Sequence, residues 1–84
     1  MPKVDCIAIA GLVCWFWSSD HDPPHFHVKR DGEWELRVYF GLGDEMFQLV
    51  WGEPPKSKLL KSIAKLVREH RAELLLEWEM KVDR

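Results

Sequence analysis

The chain has 84 residues, of which 46 % are hydrophobic and 31 % are charged, and its formal net charge is −2. This length predicts one domain covering residues 1–84, and this composition is typical of a folded protein. The slightly acidic balance excludes a uniformly basic nucleic-acid-binding protein. The charge is divided unevenly, however, with a net of −5 over residues 1–55 and +3 over residues 56–84.

The two cysteines, Cys6 and Cys14, form no CxxC pair, which predicts reduced thiols in the cytoplasm. Residues 6–17 are almost wholly apolar and loosely resemble a signal peptide, but they are too few to span a bilayer. The aromatic residues at the end of this run favour a buried strand. We therefore expect a cytoplasmic protein without a membrane segment.

Residues 12–18 are rich in aromatic and β-branched side chains and predict a first strand. Two prolines then make residues 20–24 a stiff corner, because proline fixes φ and offers no backbone donor. Residues 25–29 and 33–40 predict a second and a third strand. The third alternates apolar and polar side chains, which indicates that one of its faces is buried.

Matching of faces favours a three-residue loop, 30–32, between the second and third strands. This register places Val28 opposite Trp34 on the apolar face and His27 opposite Glu35 on the polar face. A two-residue turn would instead place Val28 opposite Glu35, which mixes an apolar with a charged side chain.

Residues 46–51 predict a fourth strand with Phe47, Leu49 and Trp51 on one side. From about residue 57 to 80, apolar side chains recur at the spacing of one helix face. The predicted fold is α+β: an antiparallel sheet of three or four strands packed against one long C-terminal helix. The apolar run 74–76 leaves open a bend near residue 70.

His25 and His27 stand two apart on a strand, so both point to one face. Together with Glu35 they form a candidate site for a divalent metal such as zinc, because imidazole and carboxylate groups are its usual ligands. Asp20, His21 and Asp22, which lie at the start of the strand, could add a ligand. The alternative is an exposed sheet face with a His–Glu cross-strand pair.

The same histidines could act as a general acid and a general base, with His21 as a third candidate catalytic group. Lys29 and Arg37 could stabilise a developing negative charge. His70 lies within the apolar stripe of the helix. It is either a histidine at the edge of the core with a hydrogen-bond partner or a residue that reaches towards His25 and His27.

A basic stripe on the predicted helix could contact phosphates, although such a stripe is more often a solvated face. Surplus tryptophans could form an apolar patch for a protein partner. The candidate binding residues are Lys58, Lys61, Lys65, Arg68, Arg37 and Trp78.

The string DHDPPHFHV at residues 20–28 resembles the signature of a bacterial family catalogued as domain of unknown function 4160. A Gly-x-x-Pro junction at residues 52–55 and the string HRAELLLEWE at residues 70–79 extend the resemblance over roughly residues 11–79. The lead-in from Cys6 departs from the pattern. The motif positions are Asp20, His21, Pro23, Pro24, His25, Phe26, His27, His70, Glu73 and Trp78, and the resemblance assigns none of them a role.

The resemblance implies one member of a toxin–antitoxin-like pair, with a second small protein encoded by the adjacent gene. We therefore expect an interaction module that binds this protein, with nucleic acid as a second partner through the basic helix. The competing hypothesis is a small histidine-centred hydrolase that resembles a ribonuclease and is either metal-dependent or metal-free.

Overall fold

The structure, a computed structural model, describes residues 2–82. Four strands, β1 (Val13–Trp15), β2 (Phe26–Arg30), β3 (Trp34–Val38) and β4 (Phe47–Gly52), form one sheet in the order β1-β2-β3-β4, and every neighbouring pair is antiparallel. Two helices, α1 (Ser57–Glu69) and α2 (Arg71–Lys81), follow the sheet. The predicted α+β class is confirmed.

The register between β2 and β3 differs from the prediction by two residues. Val28 lies opposite Leu36 and not opposite Trp34. The loop is formed by residues 31–33, with Gly32 at its centre and at a φ of 76°. Glycine adopts this left-handed conformation without the steric cost that a Cβ atom would add. Because side chains alternate with a period of two, the shift leaves each side chain on its predicted face.

A bulge interrupts the pairing of β3 with β4. Leu49 lies opposite Leu36, whereas Trp51 lies opposite Glu35, so that β4 carries one extra residue between the two pairs. The predicted alternation of Phe47, Leu49 and Trp51 on one side of the strand is therefore broken at the bulge. β4 has a hydrogen-bonded neighbour on one side only and forms an edge of the sheet.

The core lies between one face of the sheet and the two helices. Trp78, Phe16 and Phe26 are fully buried there, and the rings of Phe16 and Trp78 meet edge to face with centroids 6.3 Å apart. Val4 and Ile7 of the N-terminal segment are also buried, so the apolar lead-in belongs to the core. The core residues are Val4, Ile7, Cys14, Phe16, Phe26, Val28, Trp34, Leu36, Val38, Phe40, Met46, Ile63, Ala64, Val67, Leu74, Trp78 and Val82.

The prediction of one long helix is wrong, because the chain leaves helical geometry at His70, with φ −118° and ψ 18°. The amide of His70 still donates to the carbonyl of Leu66, and its own carbonyl accepts from Leu74. The break therefore falls at the bend that the sequence leaves open. It lets both helices bury apolar side chains in the same core. No helix within residues 2–82 is long and apolar enough to cross a membrane.

Glu77 fastens the N-terminal segment to α2. Its carboxylate accepts hydrogen bonds from the backbone amides of Asp5 at 2.7 Å and Cys6 at 2.9 Å, and from Lys81 Nζ at 2.8 Å. Burial alone would raise the pKa of Glu77, but the hydrogen bonds from Cys6, Lys81 and Asp5 outweigh burial and lower this pKa to about 2. The carboxylate is therefore ionised at neutral pH.

Both cysteines are free, and both thiols remain protonated at neutral pH. Burial, with the charge of Glu77 acting in the same direction, raises the pKa of Cys6 to about 12. Burial raises the pKa of Cys14 to about 11. Neither thiol is activated as a nucleophile or as a metal ligand, since both roles need the thiolate.

Replacing the charge of Glu77 should loosen the N-terminal segment. We expect Glu77→Gln to lower the free energy of unfolding at pH 7 by about 2–3 kcal/mol, the range for hydrogen bonds to a charged group. Because the pKa of Glu77 is depressed from 4.5 to about 2, this stabilisation is present above pH 4.5 and is lost as the pH falls towards 2. The difference in the free energy of unfolding between the variant and the parent should therefore be smaller at pH 3 than at pH 7 and vanish only below about pH 2.

Urea unfolding at pH 7 and at pH 3 measures both effects. Glu79→Gln is the matched control, because Glu79 is an exposed carboxylate on the same helix. An equal loss of unfolding free energy in the two variants at pH 7 would show that Glu77 does not hold the N-terminal segment on α2.

Candidate functional site

The corner between β1 and β2 positions the carboxylate of Asp20. The amide of Asp20 donates to the carbonyl of Trp17, and the amide of Trp17 donates to Asp20 Oδ2, both at 3.1 Å. The peptide bond between Asp22 and Pro23 is cis. The chain turns back within residues 20–24, and the carboxylate of Asp20 lies beside His25 and His27 at the start of β2.

Asp20 joins His25 and His27 in one cluster. Asp20 Oδ2 lies 3.0 Å from His27 Nε2, and Asp20 Oδ1 lies 3.5 Å from His25 Nε2. One ligand atom of each residue lies within 4.8 Å of the other two. The side chains of His25 and His27 are only 7 % and 4 % exposed, and that of Asp20 is 12 % exposed. The arrangement can hold a cation or pass a proton between carboxylate and imidazole.

His25 is fixed by contacts on two sides of its ring. Its Nδ1 lies 2.8 Å from the carbonyl oxygen of Pro23, and a carbonyl can only accept, so Nδ1 carries the proton. The neutral ring then has its lone pair on Nε2, which faces the cluster. The rings of Tyr39 and Trp78 pack against it with centroid distances of 4.8 and 5.4 Å.

His27 is stacked on Trp15, with ring centroids 5.3 Å apart and planes inclined by 21°. Burial lowers the pKa of His27 from its ordinary value and outweighs the opposing hydrogen bond and charge of Asp20. Its Nε2 faces Asp20, whereas its Nδ1 is buried without a hydrogen-bond partner. The closest carboxylate oxygen on that side is Glu35 Oε2, at 3.9 Å.

Sequence reasoning brings His25 and His27 together correctly but misplaces their surroundings. Their ring centroids are 5.2 Å apart, as the two-residue spacing predicts. The exposed face expected around them is wrong, because both are buried beneath aromatic side chains. His25 also contacts Trp78 of α2, with ring centroids 5.4 Å apart.

Asp20 occupies the position that the sequence assigns to Glu35 in the predicted metal site of His25, His27 and Glu35. The two-residue change in register explains this correction, since Arg37 and not Glu35 lies opposite His27. Glu35 lies on the far side of the His27 ring, next to Nδ1. His21 is exposed and lies outside the cluster of Asp20, His25 and His27.

His70 lies at the junction of α1 and α2, where its Nδ1 is 3.0 Å from Glu73 Oε1. The interpretation as a half-buried histidine with a hydrogen-bond partner is confirmed. Trp78 is fully buried in the core, so it offers no surface to a partner.

The remaining predicted binding residues lie on two surfaces. Lys58, Lys61, Lys65 and Arg68 are all exposed on α1. Arg37 lies on β3, where its Nη1 donates to Gln48 Oε1 at 3.2 Å. The structure does not bring Arg37 and the basic stripe of α1 into one site.

Sequence reasoning does not find the stacking of Trp15 on His27 or the role of Glu77. Trp15 lies opposite His27 in the β1–β2 pairing, and this register has no signal in the sequence because the corner between the strands is irregular. Glu77 lies one residue before Trp78 and carries no motif of its own. Its partners are backbone amides more than 70 residues away.

Asp20, His25 and His27 of the signature thus form one cluster. The family described as Domain of unknown function (DUF4160) matches residues 11–79. The chain belongs to this family. No curated protein and no solved structure matches the chain.

The carboxylate of Asp20 should contribute to stability as well as to the cluster. We expect Asp20→Ala, measured with chelator present, to lower the free energy of unfolding by about 2–3 kcal/mol. The reason is that His27 Nε2 and the amide of Trp17 lose their acceptor. His21→Ala is the control in the same motif and should change stability by less than about 0.5 kcal/mol, since His21 is exposed. Equal effects of the two substitutions would contradict the described geometry.

Proposed function

We propose that this protein is an interaction module that binds a second small protein through the open edge of β4. The supporting observation is that β4 has three consecutive exposed apolar residues, Leu49, Val50 and Trp51, which are 43 %, 42 % and 45 % exposed. An edge strand presents unpaired backbone donors and acceptors, to which an extended segment of another chain can add as a further strand.

The two edges of the sheet differ in how they are protected. At the β1 edge, the N-terminal segment covers the strand: Lys3 bridges to Trp15, and the amide of Phe16 donates to the carbonyl of Pro2 at 2.8 Å. At the β4 edge, the strand is six residues long and is exposed from Gln48 to Gly52. Natural proteins usually shield or charge such an edge. Its apolar character therefore favours a partner.

The charge around β4 defines the chemistry of that partner. Residues 31–53 contain six acidic side chains and one arginine, a net of −5. A partner strand with apolar residues flanked by lysine or arginine would complement this surface, and electrostatic complementarity raises the association rate and the specificity. Two copies of this chain would instead bring like charges together. We therefore favour a different protein, the product of the adjacent gene in a toxin–antitoxin-like pair.

The basic stripe of α1 supports nucleic acid as a further partner. Its four cations are exposed and lie on one helix, so they can reach phosphates together. No side chain with an aromatic ring lies among them, and base stacking would need one. Binding through this stripe would be independent of base sequence and sensitive to salt.

Charge introduced into the β4 edge should weaken the protein complex. We expect Trp51→Lys to raise the Kd for the adjacent gene product by at least about 30-fold, because a buried tryptophan at an interface commonly contributes 2 kcal/mol or more and the new cation opposes the basic partner. Isothermal titration calorimetry on the co-expressed, separately purified proteins measures this change.

Leu76→Lys is the matched control, since Leu76 is 60 % exposed on α2, and should leave the Kd unchanged. A lone monomer after co-expression would overturn the proposal, and so would an unchanged Kd in Trp51→Lys. If the parent forms a homodimer and Trp51→Lys dissociates it, the partner of the β4 edge is a second copy of this chain and not a different protein, which would overturn the proposed partner. Loss of binding in a Lys61→Glu/Lys65→Glu variant alone would move the interface to α1.

The histidine-centred hydrolase is the second candidate, and the hydrogen bond between His27 Nε2 and Asp20 is the observation that favours it. A carboxylate that orients an imidazole is a common part of acid–base sites. Burial argues against it, because a phosphodiester in contact with both histidines would require the corner at residues 20–24 to open.

The hydrolase predicts that the purified protein cleaves RNA and that His25→Ala or His27→Ala abolishes the cleavage. The interaction module predicts no cleavage above a mock purification. Gel analysis of a labelled RNA separates the two. Equal cleavage by the parent and both variants would identify a contaminating nuclease and remove the second candidate.

A further inference from the structure

We propose that Asp20, His25 and His27 bind a divalent transition-metal ion, with zinc as the ion that best fits the donor set, through one carboxylate oxygen and the two Nε2 atoms. Two imidazoles and one carboxylate are a donor set common to zinc and non-haem iron sites. The site lies on the β1–β2 side of the sheet, away from β4. None of the three proposed ligands belongs to β4, the proposed partner-binding edge.

The distances within the cluster suit such an ion. Bonds of about 2.1 Å in a tetrahedral site place neighbouring ligand atoms about 3.4 Å apart. Asp20 Oδ2 lies 3.0 Å from His27 Nε2, and Asp20 Oδ1 lies 3.5 Å from His25 Nε2. One ligand atom of each of the three residues lies within 4.8 Å of the other two, so a small movement of the side chains brings all three into range of one ion.

His25 already has the tautomer that a metal ligand needs. Its Nδ1 donates to the carbonyl of Pro23, which leaves the Nε2 lone pair directed towards Asp20 and His27. A hydrogen bond from the second ring nitrogen to a carbonyl is the usual outer-sphere support of a metal-binding histidine. In the neutral, metal-free ring, by contrast, this lone pair faces a carboxylate oxygen, which offers it no proton.

His27 has an unsatisfied atom that metal binding would satisfy. In the neutral ring, a proton on Nε2 donates to Asp20, and the buried Nδ1 is left without a partner. A metal on Nε2 shifts the proton to Nδ1, and a movement of about 1 Å would bring the acceptor Glu35 Oε2, now 3.9 Å away, within hydrogen-bond distance. Glu35, predicted as a ligand, thus becomes a positioning residue behind His27.

The charge balance also favours a cation. Asp20 and Glu35 bring two carboxylates to a pair of largely buried imidazoles. The two basic side chains of β2 and β3 on this face have other partners, because Lys29 pairs with Asp31 and Arg37 donates to Gln48. A bound divalent ion would neutralise the cluster directly.

Zinc titration of tag-free, chelator-stripped protein tests the proposal. We expect one equivalent to bind with a Kd below about 1 μM and to raise the melting temperature, because an ion that binds only the folded state stabilises it. His27→Gln and Asp20→Asn should each weaken binding at least 100-fold. Glu35→Gln should weaken it about 10-fold, as expected for outer-sphere support.

His21→Ala and His70→Ala are the controls, since both remove histidines outside the cluster, and both should leave the Kd unchanged. Circular dichroism without metal establishes that each variant is folded. If a ligand variant is not folded, the shift of the His25 ring protons on zinc addition to the parent replaces it as the readout.

No binding to folded parent protein at 10 μM zinc would overturn the proposal. So would a Kd that His27→Gln leaves unchanged, or one that His21→Ala weakens as strongly as the ligand variants. Partner binding by the β4 edge can fail or succeed without altering the results for Asp20, His27, His21 and His70, none of which lies on β3 or β4.

Discussion

Side chains at the start of β2 alternate between the apolar core and a second buried face, and the polar side chains on the second face need hydrogen-bond partners from the rest of the molecule. Phe26 and Val28 are fully buried against the core, so His25 and His27 must face the other way. That second face is also withdrawn from water. A strand buried on both sides with imidazoles on one of them needs polar partners there, since an unpaired buried polar group costs about 1–3 kcal/mol.

The corner before β2 supplies those partners. Asp20 lies beside both Nε2 atoms and accepts a hydrogen bond from that of His27, and the carbonyl of Pro23 accepts one from His25 Nδ1. The ring of Trp15 stacks on His27, and the ring of Tyr39 packs against His25. The signature at residues 20–28 is therefore one folding unit, in which the prolines shape the turn, the phenylalanine and valine hold the core, and Asp20 and the carbonyl of Pro23 accept hydrogen bonds from the two imidazoles. His27 Nδ1 is buried in this unit without a hydrogen-bond partner.

Much of this arrangement is predictable from local patterns. Alternation along residues 33–40 identifies the buried face of β3, and the helical spacing after residue 57 identifies the core side of both helices. Register is harder to predict, because a shift of two residues keeps every face and changes every pair. Because of that ambiguity, the sequence predicts Glu35 as the carboxylate next to His25 and His27, whereas the structure has Asp20 there. The break at His70 also escapes periodicity, since the apolar spacing continues across it.

Contacts between distant segments cannot be predicted from local sequence patterns. The stacking of Trp15 on His27 depends on how an irregular corner closes, and Glu77 binds backbone amides that any residue could provide. The second buried face of β2 follows from such contacts. For this reason the sequence leaves open an exposed pair of histidines where the fold has an enclosed cluster.

The tautomers of the two imidazoles test the enclosed cluster most directly. A long-range ¹H–¹⁵N correlation spectrum of the metal-free protein at neutral pH distinguishes a proton on Nδ1 from one on Nε2 in each ring. We predict a fixed Nδ1–H tautomer for His25, because Nδ1 donates to the carbonyl of Pro23, and an Nε2–H tautomer for His27, because Nε2 donates to Asp20. Averaged tautomers in both rings, as in exposed histidines, would contradict it.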